Sequence, residues 1–188
     1  ATLLCSRRMH RTFAAHARKL WEPETVPLAP EVTVGIMGRG VLGRACAGAL
    51  RGMGYNVIGW SRTPKHFDEV QSFDGLEGLE KFLPRTQILV CLLPLTEETE
   101  GILGRGTFNR LPAGAAVINA GRGAHMVEED LLKALERGKI EVAVLDVFNE
   151  EPLPVDNPLW DHPRVFITPH TASVTTPESA IISVADAI

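Results

Sequence analysis

Arg122 stands between two glycines, Gly121 and Gly123, directly after the apolar run AAVIN. A strongly solvated cation is unfavourable where an apolar segment ends and the backbone bends, unless it has an anion to hold. Glu151, in LDVFNEEPLP, and His170, in ITPHTAS, follow the next two apolar runs. Together these residue types suit the reduction of a small 2-keto acid by hydride from a nicotinamide. A guanidinium offers a planar fork of donors that can bind a carboxylate and polarise the adjacent ketone. Hydride addition leaves an alkoxide, which an imidazolium such as that of His170 can protonate near neutral pH. A neighbouring carboxylate favours and orients the charged ring, the role assigned to Glu151. The flanking glycines permit the bend and leave room for substrate and cofactor.

A second chemical signal lies upstream, in VGIMGRGVLGRACAGAL. Gly38, Gly40 and Gly43 are spaced as GxGxxG, with Arg39, Val41 and Leu42 completing the turn. The pattern alone is weak, since methyltransferases and chance glycine clusters share it. Placed between a strand and a helix it has a mechanism. Gly38 makes the tight turn, Gly40 admits a pyrophosphate to the backbone, and Gly43 allows close helix packing, while free N–H groups at the helix start attract the anion. The acid that would bind ribose hydroxyls in an NAD site is replaced. The stretch Trp60-Ser61-Arg62 puts Ser61 18 residues after Gly43, with Lys65 close by. A hydroxyl and a guanidinium suit a 2′-phosphate, so NADP(H) is expected over NAD(H).

These residues need elements to position them. Apolar, β-branched runs at 32–37, 55–60, 87–92, 115–119, 140–146 and 165–168 read as six strands, and the clearest helices span 41–53 and 127–137. Continuous apolar strands alternating with helices imply an α/β fold with a doubly wound parallel sheet. Ligands of such sheets sit beyond the carboxyl ends of the strands, which gathers Pro94, Arg122, Asp146, Glu151 and His170 on one rim. Asp146 is expected either to support that rim from outside or to meet the nicotinamide carboxamide.

The chain has 188 residues, 45% of them hydrophobic, enough for one core. Its longest apolar run stops at Pro94, too short to span a membrane. Cys5, Cys46 and Cys91 have neither zinc nor disulfide spacing, so no metal site is expected and a reducing, cytoplasmic setting is. The first twenty residues carry five bases and no acid, while the remainder has 14 bases against 23 acids. This start reads as a surface helix with Met9, Phe13, His16 and Leu20 on one stripe, rather than as a targeting segment or a nucleic-acid patch. The acidic remainder speaks against nucleic-acid binding. The proline-rich WEPETVPLAP separates this helix from the alternating region. The expected organisation is a crossover helix over 1–22, a linker over 23–30, the dinucleotide-binding domain over 31–172, and the start of a helix over 173–188.

Two other classes remain. A sensor or corepressor could bind a dinucleotide without catalysis, but would have no use for a proton donor beside the nicotinamide. A methyltransferase could use the glycine turn for another adenosyl ligand, which leaves Arg62 and the later motifs unexplained.

Five ordered stretches, VGIMGRGVLG, LLPLTEETEGIL, INAGRGAHMVEEDLLKALERGKI, LDVFNEEPLP and ITPHTAS, resemble the D-isomer-specific 2-hydroxyacid dehydrogenases. The resemblance runs from about Glu31 onward and implies a Rossmann-type NAD(P)-binding domain. It also implies reduction of glyoxylate and hydroxypyruvate with NADPH. By it Arg122, Glu151 and His170 bind substrate and transfer the proton, Leu93, Pro94, Thr99, Ala120 and Gly121 lie against the cofactor, and two copies pair through this domain. The sequence departs from the family in having Gly121 where alanine is common, and in holding little of the substrate domain. The isolated chain is therefore expected to turn over poorly, for want of the lid that excludes water.

Overall fold

The computed structural model describes residues 1–64 and 70–173. Lys65 and the segment 174–188, within which the C-terminal helix is expected, lie outside the described residues.

Seven strands form a single sheet: β1 (Thr33–Met37), β2 (Asn56–Ser61), β3 (Gln71–Asp74), β4 (Ile88–Cys91), β5 (Ala115–Asn119), β6 (Ile140–Leu145) and β7 (Val165–Ile167). Their order is β3-β2-β1-β4-β5-β6-β7, and every pairing is parallel. The chain winds outward from β1 to β3, then returns to place β4 on the other side of β1. That reversal opens a crevice between β1 and β4, where ligands of doubly wound sheets bind.

The central strands form because their β-branched residues can be buried on both faces at once. On one face Met37, Leu89 and Val117 pack with Phe82 from α4 (Gly75–Phe82), Phe108 from α5 (Arg105–Arg110) and Leu135 from α6 (Glu128–Glu136). On the other, Val34, Ile36, Val57 and Val144 pack with Ala47 and Leu50 of α3 (Val41–Gly52). The register keeps the carboxyl ends level: Met37 opposes both Trp60 and Cys91, Cys91 opposes Asn119, Asn119 opposes Leu145, and Leu145 opposes Ile167. The residues that follow these positions consequently share one rim.

Two expectations need correction. The sheet has seven strands rather than six, because β3 is a polar edge strand, QSFD, with no apolar run to announce it. The basic start is two helices, α1 (Thr2–Ser6) and α2 (Met9–Ala17), separated by Arg8 with φ 49°. The break lets the Ser6 hydroxyl share a 2.6 Å hydrogen bond with Tyr55 while His10 Nε2 meets Glu141 of β6 at 3.0 Å. His10 and Ala15 are therefore the buried residues of α2. In keeping with a surface helix, Phe13 of the stripe is 48% exposed, its ring tilted against that of Phe166 at 6.0 Å.

Replacing Phe82 by alanine should destabilise the domain by about 3–5 kcal/mol, through lost burial and the cavity left behind. Leu76, on the exposed side of the same helix, should tolerate alanine within about 0.5 kcal/mol. Denaturant unfolding of both variants checks which face of α4 carries the packing.

Candidate active site

The glycine turn joins β1 to α3, and its three glycines answer to different demands. Gly38 has φ 107°, and a Cβ there would come within 2.5 Å of the Leu92 carbonyl oxygen. A Cβ at Gly43 would lie 1.9 Å from the Gly38 carbonyl oxygen, so α3 can sit this close to the turn only with glycine there. Gly40 differs, since a Cβ there would meet nothing of the chain within 4 Å. Gly40 also caps α3 without a side-chain hydrogen bond, leaving first-turn N–H groups turned toward the crevice, which fits a pyrophosphate. Val41 and Leu42 in that first turn are exposed.

At the end of β2 the residues divide into two layers. Trp60 is 3% exposed, and its indole donates to the Gly75 carbonyl at 2.9 Å, which braces the edge of the sheet. Ser61 is also buried: its hydroxyl accepts from Arg39 Nε at 2.8 Å and donates to the Thr63 carbonyl at 2.6 Å. Its proton is thus committed within the chain. Arg62 stands outside at the mouth of a cleft of about 220 Å³, paired with Glu98 at 2.5 Å. Leu93, Pro94 and Thr99 line the same cleft, and Thr99 holds its loop in shape by donating to the Pro94 carbonyl at 2.8 Å.

The turn after β5 carries Arg122. Ala120 donates to the Cys91 carbonyl at 3.2 Å, and the Arg122 guanidinium folds back to donate to the Gly121 carbonyl at 2.7 Å. Beneath the turn lies His125, fully buried, a residue that the motifs did not single out. Its Nδ1 accepts the Arg122 N–H at 3.1 Å, which leaves the proton on Nε2, 3.3 Å from the Pro94 carbonyl. One imidazole therefore ties the arginine turn to the loop that lines the cofactor cleft. It also accounts for Gly121, since a Cβ there would come within 2.9 Å of His125 Nδ1. Burial, above all, holds the His125 pKa below 6.5, and the positive charge of Arg122 adds to the effect.

The last two loops are joined through a buried carboxylate. Asp146 Oδ1 accepts from Thr171 N–H at 2.9 Å and from the Thr168 hydroxyl, and Oδ2 accepts from Ala172 N–H at 2.9 Å. The Asp146 carbonyl takes the His170 N–H at 2.9 Å. Three donors thus tie Asp146 to the histidine loop, and Oδ2, with one of them, keeps acceptor capacity. Burial works to raise its pKa, but these donors outweigh that and hold it below 3.8. His170 adopts φ 53°, uncommon for a side chain with a Cβ, and turns Nδ1 to Glu151 Oε2 at 2.7 Å. Glu151 Oε1 accepts the Phe148 N–H at 2.9 Å. These bonds, His170 first, hold its carboxyl below 4.5. Arg122 shares the rim without bonding to this pair, and its turn is pressed against theirs: a Cβ on Gly123 would lie 1.9 Å from the Phe148 carbonyl. Beside them opens a largely apolar cleft of about 430 Å³, lined by Phe148, Glu151, Leu153, Trp160 and His170. Among the described residues no cluster of His, Cys, Asp or Glu could hold a metal, and no helix is long and apolar enough to cross a membrane.

The pH dependence of stability follows from these directions. The folded His125 resists protonation, so the unfolded chain takes up a proton below pH 6.5 that the folded one does not, and stability falls from there downward. His162, also depressed by burial, adds to that slope. The contributions of Glu151 and Asp146 are complete above 4.5 and 3.8 and vanish as the pH drops below those values. Thermal midpoints measured from pH 7 to pH 5 should fall less steeply in His125→Asn; an unchanged slope would contradict a neutral His125.

The comparisons with known proteins agree with this geometry. Residues 1–172 match the family described as D-isomer specific 2-hydroxyacid dehydrogenase, NAD binding domain. A glyoxylate/hydroxypyruvate reductase A from Yersinia enterocolitica is 49% identical over 175 residues, covering 93% of this chain and 56% of that protein. The chain thus spans little more than half the length of such relatives. A probable 2-hydroxyacid dehydrogenase from Rhizobium etli, solved with NADP, HEPES and L(+)-tartaric acid, superposes with a TM-score of 0.92 at 42% identity, covering 98% of this chain and 60% of that one. An NADPH-dependent glyoxylate/hydroxypyruvate reductase from Sinorhizobium meliloti, solved with NADP and sulfate, gives 0.90 at 40% identity, covering 99% and 60%. A family match over nine-tenths of the sequence, with superpositions that cover nearly all of the chain, leads to one conclusion: the chain belongs to the D-isomer specific 2-hydroxyacid dehydrogenases and carries their NAD-binding domain.

Proposed function

We propose that this chain is the cofactor-binding part of an NADPH-dependent reductase of small 2-keto acids, with glyoxylate and hydroxypyruvate as substrates. The observation that carries the reading is the 2.7 Å hydrogen bond between Glu151 and His170 on the rim that also holds the glycine turn and Arg122. A sensor that only binds a dinucleotide has no need of a carboxylate-oriented imidazole there. NADPH, seated along Gly38–Gly43 and the cleft of Leu93, Pro94 and Thr99, supplies the hydride when bound. Arg122 binds the substrate carboxylate and draws electron density from the keto oxygen, releasing its guanidinium from Gly121 to do so. His170 gives a proton from Nε2 to the developing alkoxide, because Nδ1 is held by Glu151. The ionised Glu151 holds the ring in this orientation while the proton leaves. Arg62 leaves Glu98 for the 2′-phosphate.

The reading includes a homodimer, which would cover exposed apolar side chains such as Phe13, Leu20 and Trp21. It includes a reducing, cytoplasmic setting, which suits three unpaired thiols. The substrate side of the site, with the lid that excludes water, would come from sequence beyond the part matched here.

On this chain alone, fluorescence titration should show NADPH bound at least about tenfold more tightly than NADH, given a charge-assisted phosphate contact. In a chain extended to the length of its relatives, His170→Ala should lower kcat for glyoxylate roughly 100- to 10,000-fold at neutral pH. Undiminished turnover would remove the proton-donor role.

A further inference from the structure

Arg39 occupies the first variable position of the glycine turn, and its side chain is buried, with 2% of its surface exposed. Among the described residues the guanidinium pairs with no carboxylate. Nε donates to the Ser61 hydroxyl at 2.8 Å, Nη2 reaches the Thr63 carbonyl at 3.4 Å, and Nη1 has no hydrogen-bond partner among the described residues. Asp74, at the end of β3 and opposite Ser61 in the register, acts on it only through space. A buried cation is ordinarily satisfied by an anion, because desolvation otherwise works against it. An arginine cannot escape by losing its proton. The fold thus keeps a fixed positive charge under the loop after β2, lining the same cleft as Gly38, Gly40, Ser61, Arg62 and Thr63.

Arg62 by itself is poorly suited to select a phosphate. It is half exposed and shares its charge with Glu98, so solvent and a competing carboxylate both weaken it. Ser61 cannot donate without giving up Thr63. Among the described residues that line the cleft, Arg39 carries a positive charge with no ion-pair partner. Resting on the reading that NADPH lies along the glycine turn, we infer that Arg39 is a specificity-determining residue whose buried guanidinium, beneath Ser61 and Thr63, selects a phosphate monoester on the adenosine ribose. Arg62 closes on that phosphate from the solvent side, and Arg39 draws it from below, where low polarisability strengthens the attraction. A dinucleotide with free ribose hydroxyls gains nothing from this charge.

The test is the ratio of NADH to NADPH dissociation constants, measured by fluorescence titration of the chain. A wild-type ratio near one would defeat the cofactor reading and this inference together. Given a wild-type preference for NADPH, Arg62→Ala, a change at an exposed position, should retain at least about tenfold preference, carried by Arg39. Loss of all preference in Arg62→Ala would overturn the role of Arg39 while leaving the cofactor reading intact. Arg39→Met should weaken NADPH roughly 10- to 100-fold and NADH less than about threefold, with Arg39→Lys between wild type and Arg39→Met. Equal losses for both dinucleotides would show a prop for the loop and overturn the inference. If Arg39→Met does not fold, the Arg62→Ala ratio decides alone.

Discussion

A single buried carboxylate governs the chemistry at this rim. Asp146 ends its strand inside the protein, and three donors from residues 168–172 converge on its two oxygens. The loop they hold includes His170 at φ 53°, a conformation that costs a side chain with a Cβ on the order of 1 kcal/mol. The convergence on Asp146 offsets that cost and fixes the direction in which the imidazole leaves the backbone. Glu151 then sets the rotation of the ring. Without the inner carboxylate, the outer pair would have a partner but no fixed place on the sheet.

The arginine side follows the same logic with a neutral group. His125 plays under Arg122 the part that Asp146 plays under His170, satisfying a backbone N–H where the chain turns away from the sheet. The difference in charge has a physical reason. On the proposed reading Arg122 keeps its positive charge free for a carboxylate, and a buried anion beneath it would compete for that charge. An imidazole with one proton can accept from the arginine turn and donate to Pro94 at once, holding two loops together without altering the field that a substrate would meet.

Much of this was legible in the sequence because it rests on local rules. The glycine spacing, the apolar runs of the central strands and the residues just past their ends follow from periodicity and from the direction of a parallel sheet. What escaped notice depended on contacts distant in sequence. β3 pairs with β2 at the edge of the sheet and turns only Phe73 toward the core, so QSFD carries no apolar run. The stripe Met9, Phe13, His16 and Leu20 has helical spacing, yet α2 is oriented by His10 and Arg11 on Glu141, more than a hundred residues away. The hydrogen bonds that Trp60 and Ser61 make to Gly75, Arg39 and Thr63 join segments apart in sequence and have no local signature. One signal for His125 was present: a glycine in place of the usual alanine at position 121, four residues before a histidine in an apolar segment.

The level register also limits how this domain can change. Each strand advances about 3.3 Å per residue and alternates its faces, so inserting one residue within β5 or β6 would carry the following side chain outward and turn it to the opposite layer. Arg122 or Asp146 would then leave the common line set by Cys91, Asn119, Leu145 and Ile167. Lengthening is tolerable only at the amino edge of the sheet or beyond the final loop residues. Descendants of such a scaffold are thereby steered toward new substrates by rebuilding what hangs over the rim, while the frame below keeps its count.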